Sequence, residues 1–259
     1  MAHDIHSTVA SALRVSGLQK SYGGLAATRD VHLDIAAGHV HAIIGPNGAG
    51  KTTLLSLLSG ALAADAGEIY LFGEPIHALA EQARVAAGLA RSFQITSVFD
   101  ELTVLQNLQV AAQRRRHSSY GFSVGHRRDL ASRQVALAVT QRVGLDALGD
   151  TPAARLSHAA RRRLDVGLAI ACQPRILLMD EPMAGMGPEE TVDMIDLIGS
   201  LKQELTVILV EHDMDAVFAL ADRITVLVQG AVLATGSVDE IRLNAEVRAA
   251  YLGEEEDAT

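Results

Sequence analysis

The sequence predicts an α/β fold built on a parallel sheet, and three observations predict it. First, the apolar run Val40–Ile44 leads into Gly45-Pro46-Asn47-Gly48-Ala49-Gly50-Lys51-Thr52-Thr53, and an apolar-rich segment, 52–58, follows and ends near Gly60. That order reads as strand, glycine-rich loop and helix. Second, residues 176–179 and 207–210 are short apolar runs ending in Asp180-Glu181 and Glu211-His212-Asp213. Unbroken apolar runs of that length fit strands covered on both faces. Third, segments with helical spacing separate these runs, and strands alternating with helices make a parallel sheet.

Around these three the chain reads in order. Residues 13–18 and 31–35 are strands joined by the turn-rich link Ser21-Tyr22-Gly23-Gly24, and 68–72 is a strand between Gly67 and Gly73. The character changes from about Ala78 to Ala160. There, 79–90, 104–116 and 128–143 have helical spacing and polar, Gly-containing links, which together read as a mostly helical insertion. Residues 164–171 form a helix that Pro174 breaks before the 176–179 strand, and 189–202 is another helix. Residues 224–228, the Gln229-Gly230 turn and 231–235 resemble a β-hairpin. A helical stretch, 240–252, closes the fold, and an acidic tail, 254–257, is expected to fray.

Composition limits the function. Of 259 residues, 49% are hydrophobic, enough for a large core, and the formal net charge of −9 argues against a broad basic face for nucleic acid. The single cysteine, Cys172, cannot form an internal disulfide and is expected to be a buried thiol in a reducing compartment. The polar first residues, 1–12, do not read as a secretory signal, and no run reaches the length of a membrane span. The basic cluster Arg114-Arg115-Arg116 with Arg127-Arg128 reads as a solvated face, with contact to anionic lipid or a partner as the alternative.

The glycine-rich loop fits G-x-x-x-x-G-K-[ST], the phosphate-binding P-loop. Gly45, Gly48 and Gly50 let the backbone turn tightly. The loop N–H groups then face phosphate oxygens at a helix N-terminus, where partial positive charge favours them. Lys51 supplies a full charge for the β- and γ-phosphates, and the Thr52 hydroxyl can hold Mg²⁺. Asp180 and Glu181 end a strand, the edge at which open α/β sheets bind ligands. Asp180 suits Mg²⁺ and Glu181 suits orienting or deprotonating the attacking water. Together these residues predict a nucleoside triphosphatase that uses ATP or a similar nucleotide with Mg²⁺. Tyr22, one of four tyrosines in a chain with five phenylalanines and no tryptophan, is a candidate platform for a base. His212 at its strand end is a candidate γ-phosphate sensor.

With Tyr22, the P-loop at 45–53, Gln94, Leu156-Ser157, Asp180-Glu181-Pro182 and His212 in that order, the chain resembles the ATP-binding cassette of ABC transporters. The resemblance covers nearly the whole chain. It implies a P-loop NTPase with a RecA-like core, an antiparallel β-subdomain and a helical subdomain. The core and β-subdomain would fall at 1–92 and 161–259 and the helical subdomain at 93–160, all in one nucleotide-binding domain. It implies that Tyr22 stacks on adenine and that Gly45, Pro46, Asn47, Gly48, Ala49, Gly50, Lys51, Thr52 and Thr53 bind the phosphates. Gln94 would sense Mg²⁺ and the attacking water, Thr52 and Asp180 would hold Mg²⁺, Glu181 would be the catalytic glutamate and His212 the switch histidine. In that family two cassettes sandwich two ATP molecules, so Ser157 would face the ATP held by a second cassette.

Residues 88–99, 102–108, 185–188, 210–214 and 250–254 further resemble the ATPase subunits of branched-chain amino-acid importers. ATPases of urea, short-amide and aromatic-acid importers are similar and remain the alternative. The partners implied are a second cassette, transmembrane permease subunits and, indirectly, a periplasmic or surface solute-binding protein. The implied location is peripheral, on the cytoplasmic face of the inner membrane.

Two departures stand out. The signature segment, Leu-Ser-Gly-Gly-Gln in the family, reads Leu156-Ser157-His158-Ala159-Ala160. This segment opens a helix whose N–H groups must approach phosphate closely, and a methyl at Ala159 obstructs the approach; if position 159 also needs positive φ, Ala costs about 1 kcal/mol more than Gly there. Arg161, Arg162 and Arg163 follow, either as compensating charge or as an exposed helix face. Gly187 stands where the family carries Asp or Asn. Both changes lie where a cassette completes its partner's site, so a heterodimer with unequal sites is expected, with a homodimer the alternative.

Overall fold

The computed structural model describes residues 11–92, 98–114 and 125–256. Strands β1 (Ser11–Tyr22) and β2 (Leu25–Ala36) form a long antiparallel hairpin that turns at Gly23-Gly24. Leu13, Val15 and Leu18 face Ile35, Leu33 and Val31 across it, and all six are buried. The register shifts at four places along the hairpin, one of them between Val15 and Leu18, where Gly17 adopts φ 61°. β3 (Val40–Ile44) follows, then helix α1 (Lys51–Ser59), β4 (Ala66–Leu71) and the short β5 (Glu74–Pro75). Next come α2 (Glu81–Ala87), β6 (Leu89–Arg91), α3 (Val104–Arg114), α4 (Gly125–Arg142) and α5 (His158–Ala171). The chain continues with β7 (Ile176–Asp180), α6 (Pro188–Leu201), β8 (Thr206–Val210) and α7 (Met214–Leu220). It closes with β9 (Arg223–Val228), β10 (Ala231–Gly236), α8 (Val238–Leu243) and α9 (Ala245–Glu256).

Two sheets result. An antiparallel sheet runs β2-β1-β4-β5, and a six-stranded sheet runs β10-β9-β3-β8-β7-β6, parallel except for β10. Every residue of β3, β7 and β8 is buried. Their side chains alternate between two layers. Ile43, Ile176, Leu178, Ile208 and Val210 pack with α1 and the antiparallel sheet. Leu177, Met179, Val207 and Leu209 pack with residues of α3, α5 and α6 on the other face. Each such side chain contributes about 1.5–3 kcal/mol when fully buried, so both layers fix the register of the central strands.

The structure corrects several expectations. The helical spacing over 79–90 conceals a strand: α2 stops at Gly88, whose φ is 107°, and 89–91 becomes the edge strand β6 beside β7. Helix 214–220 was not expected, and the closing helical stretch is two helices that break at Asn244. The acidic tail is helical as far as Glu256. Cys172 is half-buried, with its Sγ 3.5 Å from the Leu168 carbonyl. Arg115 and Arg116 lie outside the described residues, as does Gln94, and the side chains of Arg114, Arg127 and Arg128 are not described.

Arg84 fixes the far end of α1. Its buried guanidinium donates to the carbonyls of Leu57 and Leu58 at 2.7 and 2.8 Å, and to Leu79 and His77. A cation at the carbonyl end of a helix complements its dipole. Asn107 does similar work in α3, bonding Phe99, Leu102 and Thr103 and so fixing residues 99–103.

Candidate nucleotide-binding and hydrolysis site

The loop after β3, the end of β7 and the end of β8 are neighbours because the strands lie in the order β3-β8-β7. The site thus sits at the C-terminal edge of a parallel sheet, where such sheets bind ligands.

The P-loop is held by its glycines. A Cβ on Gly45 would lie 2.1 Å from the Leu227 carbonyl oxygen, and one on Gly50, at φ 98°, would lie 2.2 Å from that of Ala27. Gly230 closes the cradle by donating to the Ala49 carbonyl at 2.9 Å. The β1–β2 hairpin and the β9–β10 turn therefore press the loop into shape from outside. Gly48 differs: its φ is 76°, but nothing lies within 4 Å of the position of a Cβ. Pro46 and Ala49 form a turn, with Ala49 N–H on the Pro46 carbonyl at 3.2 Å, and Asn47 lies between them. Lys51 folds back over the loop and donates to the carbonyls of Gly45 and Pro46 at 2.5 and 2.9 Å. No side chain caps α1, whose N-cap is Gly50, so its first N–H groups, including those of Thr52 and Thr53, face an anion-binding position.

Tyr22 ends β1 at the hairpin tip and is 52% exposed, as a stacking platform must be. Lys20 stands 5.9 Å from its ring and pairs with Asp65, which also accepts from Ser21 N–H.

Asp180 is fully buried, and its Oδ2 accepts from Arg91 at 2.9 Å. The same guanidinium reaches Ser56 of α1. Burial pushes the Asp180 carboxyl above the usual carboxylate range, and Arg91 opposes that shift. Asp180 Oδ1 is buried with no hydrogen-bond donor, an arrangement that a divalent cation satisfies. No cluster of three or more His, Cys, Asp or Glu suited to a metal occurs among the described residues.

Glu181 adopts φ 48°, rare for a residue with a side chain, and its N–H bonds the Val210 carbonyl at 2.9 Å. This turn brings its carboxylate 4.0 Å from His212 Nδ1. His212 is two-thirds exposed and also stands 3.7 Å from Glu211. Sequence reasoning passed over Glu211. Its buried carboxylate accepts from Met183 N–H at 3.0 Å and His212 N–H at 3.1 Å, which joins the loop after β7 to the loop after β8. The only signal for it in the sequence is a carboxylate at the end of an apolar strand. Asp213 caps α7. Arg91 was also missed, although it directly ends the strand before Gln94.

Ser157 is the N-cap of α5, and its hydroxyl accepts from Ala160 N–H at 3.2 Å. Ala159 lies inside that helix with right-handed backbone and is 7% exposed. It therefore carries no positive-φ strain, and its methyl is packed within its own fold. We expect Ala159→Gly to lower stability by about 1–2 kcal/mol, from helix propensity and one lost buried methyl. A drop of a few degrees in melting temperature would show this. Arg161 pairs with Asp100 at 2.6 Å and Arg163 with Asp193 at 2.5 Å, so the three arginines are neither a free cationic cluster nor a bare exposed face. Gly187 is the N-cap of α6 at φ −76°, a conformation open to any residue, and donates to Glu190.

Asp165 is buried in α5, and neither carboxylate oxygen has a donor. Burial pushes its carboxyl up to about 7, against the pull of Arg162 and Arg161. A carboxyl raised on folding favours the native state at low pH, and that contribution is lost as pH rises through about 7. Asp165→Asn should therefore raise the melting temperature at pH 8 and change it far less at pH 5. Thermal melts of both proteins across that range check this.

A loop that cradles phosphate, a buried carboxylate with a free oxygen, and a carboxylate near a histidine define a nucleoside triphosphatase. The family description "ABC transporter" matches residues 28–184, more than half of the chain, and "Branched-chain amino acid ATP-binding cassette transporter" matches residues 231–257. The chain belongs to the ATP-binding cassettes of ABC transporters and is an ATPase of that class.

Among its relatives is the high-affinity branched-chain amino acid transport ATP-binding protein BraF of Pseudomonas aeruginosa. It is 39% identical over 251 residues, covering 93% of this chain and 98% of the relative. LivG of Escherichia coli, with the same description, is 37% identical over 249 residues at the same coverage. A nucleotide-free ATP-binding cassette from an ABC transporter superposes with a TM-score of 0.82 at 28% identity, covering 93% of this chain and 98% of that one. The ADP conformation of MJ1267, another ABC transporter cassette, gives a TM-score of 0.81 at 27% identity over 94% and 99% of the two chains. These relatives bear out the expected class and P-loop NTPase fold.

Proposed function

We propose that this cassette energises import of branched-chain amino acids. The observation that carries the reading is the match of residues 231–257 to the branched-chain cassette description, in a chain whose full-length relatives carry that function in their names. In this reading Tyr22 stacks on adenine, and the backbone of residues 45–53 with Lys51 holds the phosphates. Mg²⁺, held by Thr52, Asp180 and Gln94, would neutralise charge on the β- and γ-phosphates. The free Asp180 Oδ1 supports that assignment. Glu181 orients and deprotonates the attacking water, and His212, set beside it, holds the γ-phosphate. Lys51 exchanges its two loop carbonyls for phosphate oxygens.

The division into a core and β-subdomain at 1–92 and 161–259 and a helical part at 93–160 belongs to the same reading, supported by the packing of α3 against α4. So do the partners. A second cassette would place its ATP against Ser157, and a dimeric post-hydrolysis cassette, MJ0796 with ADP and Pi, shares this fold at a TM-score of 0.75 and 22% identity. Permease subunits would anchor the chain at the cytoplasmic face of the inner membrane, with a solute-binding protein acting on the far side. Among the described residues no helix is long and apolar enough to cross a membrane. The second cassette is expected to be a different chain, in a heterodimer with unequal sites, with a homodimer the alternative.

The test is uptake. Co-expressed with its permeases in cells lacking branched-chain amino-acid import, the chain should restore accumulation of labelled leucine. Restored uptake of urea or short amides without leucine would overturn the assignment of solute while leaving the ATPase in place.

A further inference from the structure

We infer that Arg162 is a positioning residue for hydrolysis, which ties the helix that begins at Ser157 to the backbone of the chain's own Glu181. The inference rests on the proposed role of Glu181 as the group that handles the water.

Three observations carry it. Arg162 projects from the second turn of α5 onto the turn after β7, where its Nη2 donates to the Asp180 carbonyl at 3.2 Å and to the Glu181 carbonyl, and its Nε donates to the Pro182 carbonyl at 3.1 Å. One side chain thus spans three successive carbonyls, a task for which a rigid fork of donors is suited. Second, the residue at the centre of that span, Glu181, holds φ 48°. Such a conformation is strained and persists only where its surroundings hold it. Third, His158, four residues before Arg162 and so on the same face of α5, lies against Gly185. A Cβ on Gly185 would stand 3.2 Å from His158 Cε1. The first two turns of α5 therefore touch the catalytic turn at one point and the loop beyond it at another.

The consequence is mechanical. Ser157 caps the helix that carries Arg162, so a force on the Ser157 end moves the guanidinium and the three carbonyls with it. Glu211 holds the other side of the same turn through Met183 N–H. Glu181 is thus set between a support from Glu211, just after β8, and one from Arg162 on α5. Closure of a second cassette on Ser157 would then adjust the water-handling carboxylate of this chain, not only the site across the dimer.

The experiment uses the full chain assembled with its permeases. Arg162→Ala should lower kcat about 10- to 100-fold, the cost of small misplacements in a catalytic group, with the KM for ATP and the affinity for a fluorescent ATP analogue unchanged. Arg162→Lys should recover part of kcat. Added to Glu181→Gln, Arg162→Ala should cause no further loss, because a residue that acts through Glu181 has nothing left to act on.

Unchanged kcat in Arg162→Ala overturns the inference. So does a matching loss of ATP affinity, or a further loss in the double variant. Should Arg162→Ala not fold, Arg162→Gln takes its place with the same readouts, since Gln cannot span three carbonyls. Normal turnover by Glu181→Gln alone removes both the inference and the role of Glu181, whereas a dead Glu181→Gln with a fully active Arg162→Ala removes only the inference.

Discussion

Glu181→Gln should retain ATP with wild-type affinity and lose about 100- to 10,000-fold in turnover, the range for removing a general base. The size of the loss follows from geometry. Among the described residues of the site, Glu181 alone combines a carboxylate one-third exposed, a backbone held at φ 48° and a histidine nitrogen at 4.0 Å. Glutamine keeps the shape and removes the proton acceptor, so binding by the P-loop is untouched. Measured ATP affinity beside single-turnover hydrolysis separates the two. Turnover within a few-fold of wild type would show that another group handles the water, and Glu211 is not a candidate because its carboxylate is buried and already accepts two N–H groups. The variant should also retain any ATP-dependent dimer, which its mass in solution with Mg-ATP will report.

The second large effect is expected at Gly50. Gly50→Ala would place a methyl 2.2 Å from the Ala27 carbonyl oxygen while holding φ at 98°. The backbone strain alone costs about 1–3 kcal/mol. Relief requires β2 and the P-loop to separate, which disperses the N–H groups that meet phosphate. Nucleotide affinity should fall at least tenfold and the melting temperature should drop. Gly48→Ala is the internal comparison, because a methyl there meets open space and only strain applies. If both variants bind ATP equally, contact with β2 does not shape the loop.

Local patterns in the sequence carried the class of fold and most of the site. Chain-neighbour chemistry makes the P-loop legible: a strand, three glycines, a lysine and a helix are contiguous, and contiguity is what pattern reading detects. Asp180-Glu181 is legible for the same reason, as a break in an apolar run. Arg91, Arg162 and Glu211 were not, because each bonds at least one partner well separated along the chain, and no spacing rule links Arg162 to the carbonyls at 180–182. The φ of Ala159 was not legible for a related reason. Backbone conformation at a helix start depends on the cap, here Ser157, and on the packing of the helix behind it, and the structure makes it right-handed. The strand at 89–91 was lost because three residues are too short to show a period of two and directly follow a real helix.

By itself, then, the sequence determined that this chain is an α/β nucleotide-binding protein with a phosphate loop, a pair of carboxylates at a strand end and the motif order of a cassette. Only the tertiary structure decided how these are held. It set the strand order β3-β8-β7 that gathers three loops at one edge, the buried Asp180 Oδ1 with no hydrogen-bond donor, the turn that brings Glu181 to His212, and the contacts to that turn from α5 and from Glu211 just after β8. The physical reason is range. Propensity and hydrophobic period act over a few neighbours, whereas burial, carbonyl contacts and sheet order are fixed by residues tens to hundreds of positions apart, which meet only when the core packs.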